Sequence, residues 1–132
     1  MKNAYFCFLL CVLSFVSNAQ TLRFEENKGQ WDTNVFFKAR LQKGALFVEN
    51  NGVVFYLNDV EKHQTKKTNS AHAFKIELKN ALPSQIKANY PLPSYTNYFI
   101  GKDQSKWAEK VIAYQEVIYQ NVFNNIDWKI YS

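Results

Sequence analysis

Asp59, Glu61 and His63 stand two residues apart, so on an extended chain their side chains point the same way. Two carboxylates and an imidazole are donor types that a divalent cation accepts, with His72 as a fourth candidate. The segment runs on into Gln64-Thr65-Lys66-Lys67, whose ammonium groups oppose a metal's charge, so a solvated polar stretch is the better reading. Ser70 and His72 are the residue types of a nucleophile and its base, but closeness in sequence does not make a hydrogen-bonded dyad. Glu49, Glu77 and Glu116 occur singly, and glycoside cleavage would need two carboxylates at a set separation in space. Gly101-Lys102 is followed by Asp103 rather than a hydroxyl residue and has no glycines before it, which excludes a phosphate loop. There is no Gly-x-Ser-x-Gly elbow. Both cysteines, Cys7 and Cys11, fall in the apolar opening stretch. No catalytic residue, cofactor or metal site is assigned, and the chain is read as a non-enzyme.

Aromatic side chains are the other candidates. The sequence holds 3 Trp, 8 Tyr and 11 Phe, enough to furnish a core and still leave rings at the surface. Trp31 and Trp107 are the rings that could stack on sugars, whereas Trp128 sits in an alternating run and reads as core. Tyr90, Tyr95 and Tyr98 lie beside Pro91 and Pro93. Lys+Arg outnumber Asp+Glu 16 to 11, a net charge of +5. Lys62, Lys66, Lys67, Lys75 and Lys79 cluster without any nucleic-acid motif, so nucleic acid is not expected as a partner. Acidic glycans match the charge equally well.

The elements that must position these residues are strands. MKNAYFCFLLCVLSFVSNAQ has the basic start, apolar middle and small-residue end of an export signal, with cleavage expected between Ala19 and Gln20. Its apolar stretch, Ala4 to Val16, would rise only about 20 Å as a helix against a hydrocarbon core of roughly 30 Å, so a retained transmembrane anchor is not expected. Residues 20–132 then read as one β-rich domain. Gln20 to Asn34 is polar and loop-like, and Val35 to Leu41 alternates as a half-buried strand before a Lys43-Gly44 turn. Ala45 to Glu49 and Val53 to Leu57 flank Asn50-Asn51-Gly52, which predicts a hairpin with positive φ at its Asn-Gly centre. Asp59 to Ala71 is polar without periodicity and predicts an exposed loop. Phe74, Ile76 and Leu78 mark a further strand, and Pro83, Pro91 and Pro93 make Ala81 to Tyr95 an extended crossing rather than a central strand. Ser105 to Ala108 suits a helical turn, and Lys110 to Phe123 a strand or two with a kink. Asn124-Asn125 turns the chain into a strand from Ile126 to Tyr131.

These residues also carry a resemblance. FEENKGQWDTNVFFKARLQKGALFVENNGVVFYL and the later NYFIGKDQSKWAEKVIAYQEVIYQNVFNNIDWKIY resemble two blocks of an N-terminal domain of unknown function found in long secreted proteins of the Bacteroidota. His72-Ala73-Phe74 matches a His before an apolar strand in that family, and Asn125 stands where the family prefers Gly. In those proteins the domain often precedes SBBP repeats (β-propeller type), immunoglobulin-like modules and a C-terminal sorting or gliding-motility segment. The resemblance implies a surface or secreted location and supplies no catalytic residues.

The fold expected is all-β, a sandwich-like or open-barrel antiparallel architecture forming the N-terminal part of a larger β domain, since the last strand runs to Ser132 without a cap. Trp31, Phe37, Phe47, Phe55, Phe74, Phe99, Trp107 and Trp128 are the expected packing set. The expected role is a structural or interaction module that packs against downstream modules of the same polypeptide or a surface partner. The alternatives are a carbohydrate-binding module using Trp31 and Trp107, and, less well supported, a fragment of a secreted hydrolase.

Overall fold

Alternation of apolar and polar residues becomes hydrogen-bonded strand throughout the computed structural model, which describes residues 21–62 and 67–132. The strands are β1 (Phe24–Glu26), β2 (Val35–Leu41), β3 (Gly44–Glu49), β4 (Gly52–Lys62), β5 (Lys67–Glu77), β6 (Gln85–Tyr98), β7 (Ala108–Phe123) and β8 (Ile126–Tyr131). All join one antiparallel sheet in the order β5-β4-β3-β2-β1-β7-β6, with β8 also paired to β7. The sheet is open and strongly curled into a half-barrel, as the all-β, open-barrel expectation requires. β6 occupies one edge of β7, so β1 and β8 lie end to end along the other. The Leu22 amide donates to Ser132 Oγ at 2.8 Å where those two strands meet.

Register explains which residues form the core. Phe24 pairs with Ala39, Ala39 with Leu46, Leu46 with Phe55, and Phe55 with Phe74, a row crossing five strands on one face. Phe24, Ala39, Leu46, Val48, Val53, Val117, Tyr119 and Val122 make the buried cluster. Small and branched residues dominate because curling brings the strands' inner sides close together. This corrects the expected packing set. Phe37, Phe55 and Trp128 pack against the cluster, but Phe74, Phe99 and Trp107 are exposed. Trp31 and Phe47 are half-buried and share one cation, Lys38, whose ammonium lies 5.3 Å and 5.5 Å from their ring centres.

Several local expectations change as well. Most of the expected loop is strand: residues 59–62 and 67–71 belong to β4 and β5, which pair without interruption from Gly52↔Glu77 to Lys62↔Lys67. Periodicity reports a buried face, whereas backbone pairing needs none, so a polar two-stranded ribbon leaves no alternation to read. The β3–β4 turn is centred on Asn50-Asn51, and neither has positive φ. Gly52 is instead the first residue of β4, where a Cβ would collide with the Ile76 carbonyl oxygen of β5. The proline-bearing segment is a full strand, β6, yet it lies at the sheet edge and loses register between Pro91 and Tyr95, as absent donors dictate. Lys110 to Phe123 falls within one 16-residue strand, with positive φ at Lys110 and Asn121. The Ser105 turn is a short 3-10 helix, residues 104–106, capped by Asp103, whose Oδ1 accepts from the Ser105 amide and hydroxyl at 3.0 and 2.7 Å.

Candidate functional site

Two surfaces emerge from this sheet. The first lies on the outer face, opposite the Phe24 row. Glu25 of β1 pairs with Ala113 of β7, whose methyl side chain leaves room for contacts across it to β6. Glu25 Oε2 accepts from the Tyr98 hydroxyl at 2.6 Å and Oε1 from Thr96 Oγ1 at 3.0 Å. Burial, then the hydrogen bond and charge of Glu25, push the Tyr98 phenol well above its ordinary value, against the opposing pull of Arg40. Arg23 donates to Ser94 Oγ at 2.8 Å. Arg23, Glu25, Arg40, Thr96 and Tyr98 line one cleft.

Trp31 flanks this cluster through Tyr98, which it meets edge-on at 5.5 Å. The Asn27 side chain makes the most hydrogen bonds within the loop that carries it. Asn27 Oδ1 accepts from the Gly29 and Trp31 amides, while its Nδ2 donates to the Asp32 and Val35 carbonyls at 2.9 and 2.7 Å. Trp107 donates from Nε1 to the Gly101 carbonyl at 3.3 Å, meets Phe99 edge-on at 5.5 Å and is 39% exposed. The Trp31 loop reaches the start of β7, just past Trp107, since Lys28 Nζ donates to the Lys110 carbonyl at 2.9 Å. Of the two tryptophans, Trp31 has the Lys38 ammonium over its ring, while Trp107 is the more open to solvent.

The second surface is the β5 end of the core-side face. Burial drops sharply along the register rows: Ala39 is 0% exposed, Leu46 2% and Phe74 42%; Val48 is 0%, Val53 2% and Ile76 45%. Phe74 stacks on Phe55 at 5.0 Å and 7°, and His72 lies 6.1 Å from Phe74. Leu57, Ala71 and His72 line a shallow, mostly apolar hollow beside them.

The remaining candidates are dispersed. No hydrogen bond joins Ser70 to His72 among the described residues, so the pair forms no dyad. Glu49 and Glu77 converge on one lysine, with Lys75 Nζ at 2.9 and 3.1 Å, and that contact holds Glu77 below the usual carboxylate range. A carboxylate kept ionised in this way is poorly suited to act as a general acid. Glu116 accepts from Asn89 at 2.9 Å, far along the chain from that pair. No group of three His, Cys, Asp or Glu suited to a metal occurs among the described residues. His63 and the Ala19–Gln20 cleavage site lie outside those residues, as do the side chains of Asp59 and Glu61. Sequence reasoning named Tyr98 only among the candidate aromatic rings and passed over Arg23, Glu25, Arg40 and Thr96, because the hydrogen bonds in this cluster span 71 and 73 residues and leave no local pattern.

No curated protein and no solved structure matches this chain. A family described as a domain of unknown function, DUF7948, matches residues 24–132, from the buried Phe24 of β1 to the end of the sheet. The chain therefore belongs to the DUF7948 family.

Proposed function

We propose that this domain is a non-catalytic structural and interaction module whose open half-barrel is completed by a neighbouring module packed against β4 and β5. The observation that carries the reading is the exposure of Phe74 and Ile76 in the same rows that bury Ala39, Leu46, Val48 and Val53. Apolar residues continuing a core row into solvent mark a surface that another chain segment covers. Among the described residues β5 also ends the strand order with one side unpaired, a template for further β structure. The occupant we favour is β-rich and apolar on its contact face. It belongs to the same polypeptide or to a surface partner.

The resemblance noted from the sequence extends this reading. It suggests an exported protein of the Bacteroidota, with an N-terminal signal cleaved after Ala19, SBBP repeats and a sorting segment downstream, and a role at the cell surface such as adhesion. Fractionation of the native product tests the location. Labelling tests the docking. An Ile76→Cys variant with Cys7 and Cys11 replaced by Ser reacts readily with a thiol reagent in the separate 132-residue chain. In the native product the same thiol is expected to be protected. Equal reactivity in both would remove the docking proposal.

A further inference from the structure

We infer that the cleft bounded by Arg23, Glu25, Arg40, Thr96 and Tyr98 is a binding site for an acidic sugar, one that presents an anionic group and free hydroxyls together. The site lies on the outer face, away from the rim around Phe74, and stands or falls separately from the docking reading. Its volume is about 310 Å³, at the small end of ligand pockets, which suits a single sugar unit.

The chemistry of the lining selects the ligand. Arginine only donates hydrogen bonds and a carboxylate only accepts them. Arg40 makes no side-chain hydrogen bond or ion pair among the described residues, so its guanidinium is available to an anion. Each Glu25 oxygen already holds one hydroxyl, from Thr96 or Tyr98, and keeps a second lone pair for a ligand donor. These two hydrogen bonds fix the carboxylate before any ligand arrives. A bare phosphate or sulfate would satisfy the arginines but be repelled by Glu25. A neutral sugar would satisfy Glu25 but leave Arg40 without an anion. A sugar acid does both. A zwitterionic amino acid also offers both groups, yet Lys38, the register partner of Glu25, joins Arg23 and Arg40 in tilting the local field toward a net anion.

Titration of the 132-residue chain with galacturonate oligomers, followed by amide chemical shifts, tests the site. Shifts at Glu25, Thr96 and Tyr98 are expected, with affinity falling about tenfold in Arg40→Ala and in Glu25→Gln, the size of one lost charge-assisted contact. Lys87→Ala, on the exposed side of β6, is expected to leave affinity unchanged. Neutral galactose oligomers, dextran sulfate and free glutamate are the competing probes. Any of them binding as tightly as galacturonate overturns the proposal, as does the absence of shifts in this cleft. Matching melting curves for the variants confirm that a lost affinity is not lost folding, and the wild-type shift map decides the question without any variant.

Discussion

Tyr119 is the residue on which the curl of the sheet turns. Its ring is 1% exposed and stacks on Trp128 at 5.0 Å, while its hydroxyl reaches the Glu49 and Gly52 carbonyls, each at 2.7 Å, on either side of the β3–β4 turn. A side chain from β7 is thereby tied to a hairpin whose strands lie three and four places away in the sheet order. Tyr119→Phe removes only the hydroxyl and is expected to lower stability by about 1–2 kcal/mol, read from the urea midpoint at constant slope. The same burial sets a pH dependence. Burial raises the phenols of Tyr119 and Tyr98 above the ordinary tyrosine value of about 10. The unfolded chain therefore ionises first, and stability is full below about pH 10 and is lost as pH rises beyond it. Urea midpoints measured from neutral to alkaline pH should fall less steeply in Tyr98→Phe and Tyr119→Phe. Gly52→Ala has a different cause. Its new Cβ meets the Ile76 carbonyl, so β4 and β5 must separate locally, and a loss of about 1–3 kcal/mol is expected.

Among the elements, β7 holds the sheet together. It is the longest strand at 16 residues, with β6 along one edge and β1 and β8 along the other. Hydrogen exchange should therefore be slowest in β7, between Val111 and Tyr119, and fastest along β5 and the Pro91 stretch of β6, which among the described residues each pair on one side only. A profile in which β5 exchanges as slowly as β7 would show that the observed edge is covered. The β7–β8 turn offers a backbone test. Asn125 has φ of 60°, a left-handed conformation that glycine adopts freely, asparagine tolerates and alanine resists. Asn125→Ala is expected to cost about 1–2 kcal/mol, and Asn125→Gly to cost nothing or to stabilise slightly.

The molecule as a whole is a curled sheet with one side of its core left open. Apolar surface that continues from a buried cluster drives association wherever it meets its like, and an unpaired strand edge adds backbone partners. Residues 21–132 produced alone are expected to self-associate in sedimentation velocity. Phe74→Ser with Ile76→Ser should shift them toward monomer, and the melting temperature should change little because both residues are 42–45% exposed. A sharp monomeric boundary for the unmodified chain would mean that the open side needs no cover. The acidic-sugar cleft lies on the opposite face, so a docked neighbour over β4 and β5 would leave it accessible. One domain could then be held in place by its inner face and meet glycans with its outer one.

Local chemistry in the sequence determined the strand class. Period-two alternation at Val35–Leu41 and Phe74–Leu78, the asparagine turns and the prolines of the crossing all act over a few residues, and each could be read where it stands. β1 escaped because three residues are too few to show a period, and the far end of the β4–β5 ribbon escaped because neither of its faces needs to be apolar. Only the tertiary structure decided that Phe24 is core while Phe74 is surface. The two belong to the same cross-strand row, and burial depends on which end of the row the curling sheet encloses. It alone also brought Glu25 to Thr96 and Tyr98, since a contact made across β7 between residues 71 and 73 positions apart is set by strand order and curvature rather than by local spacing.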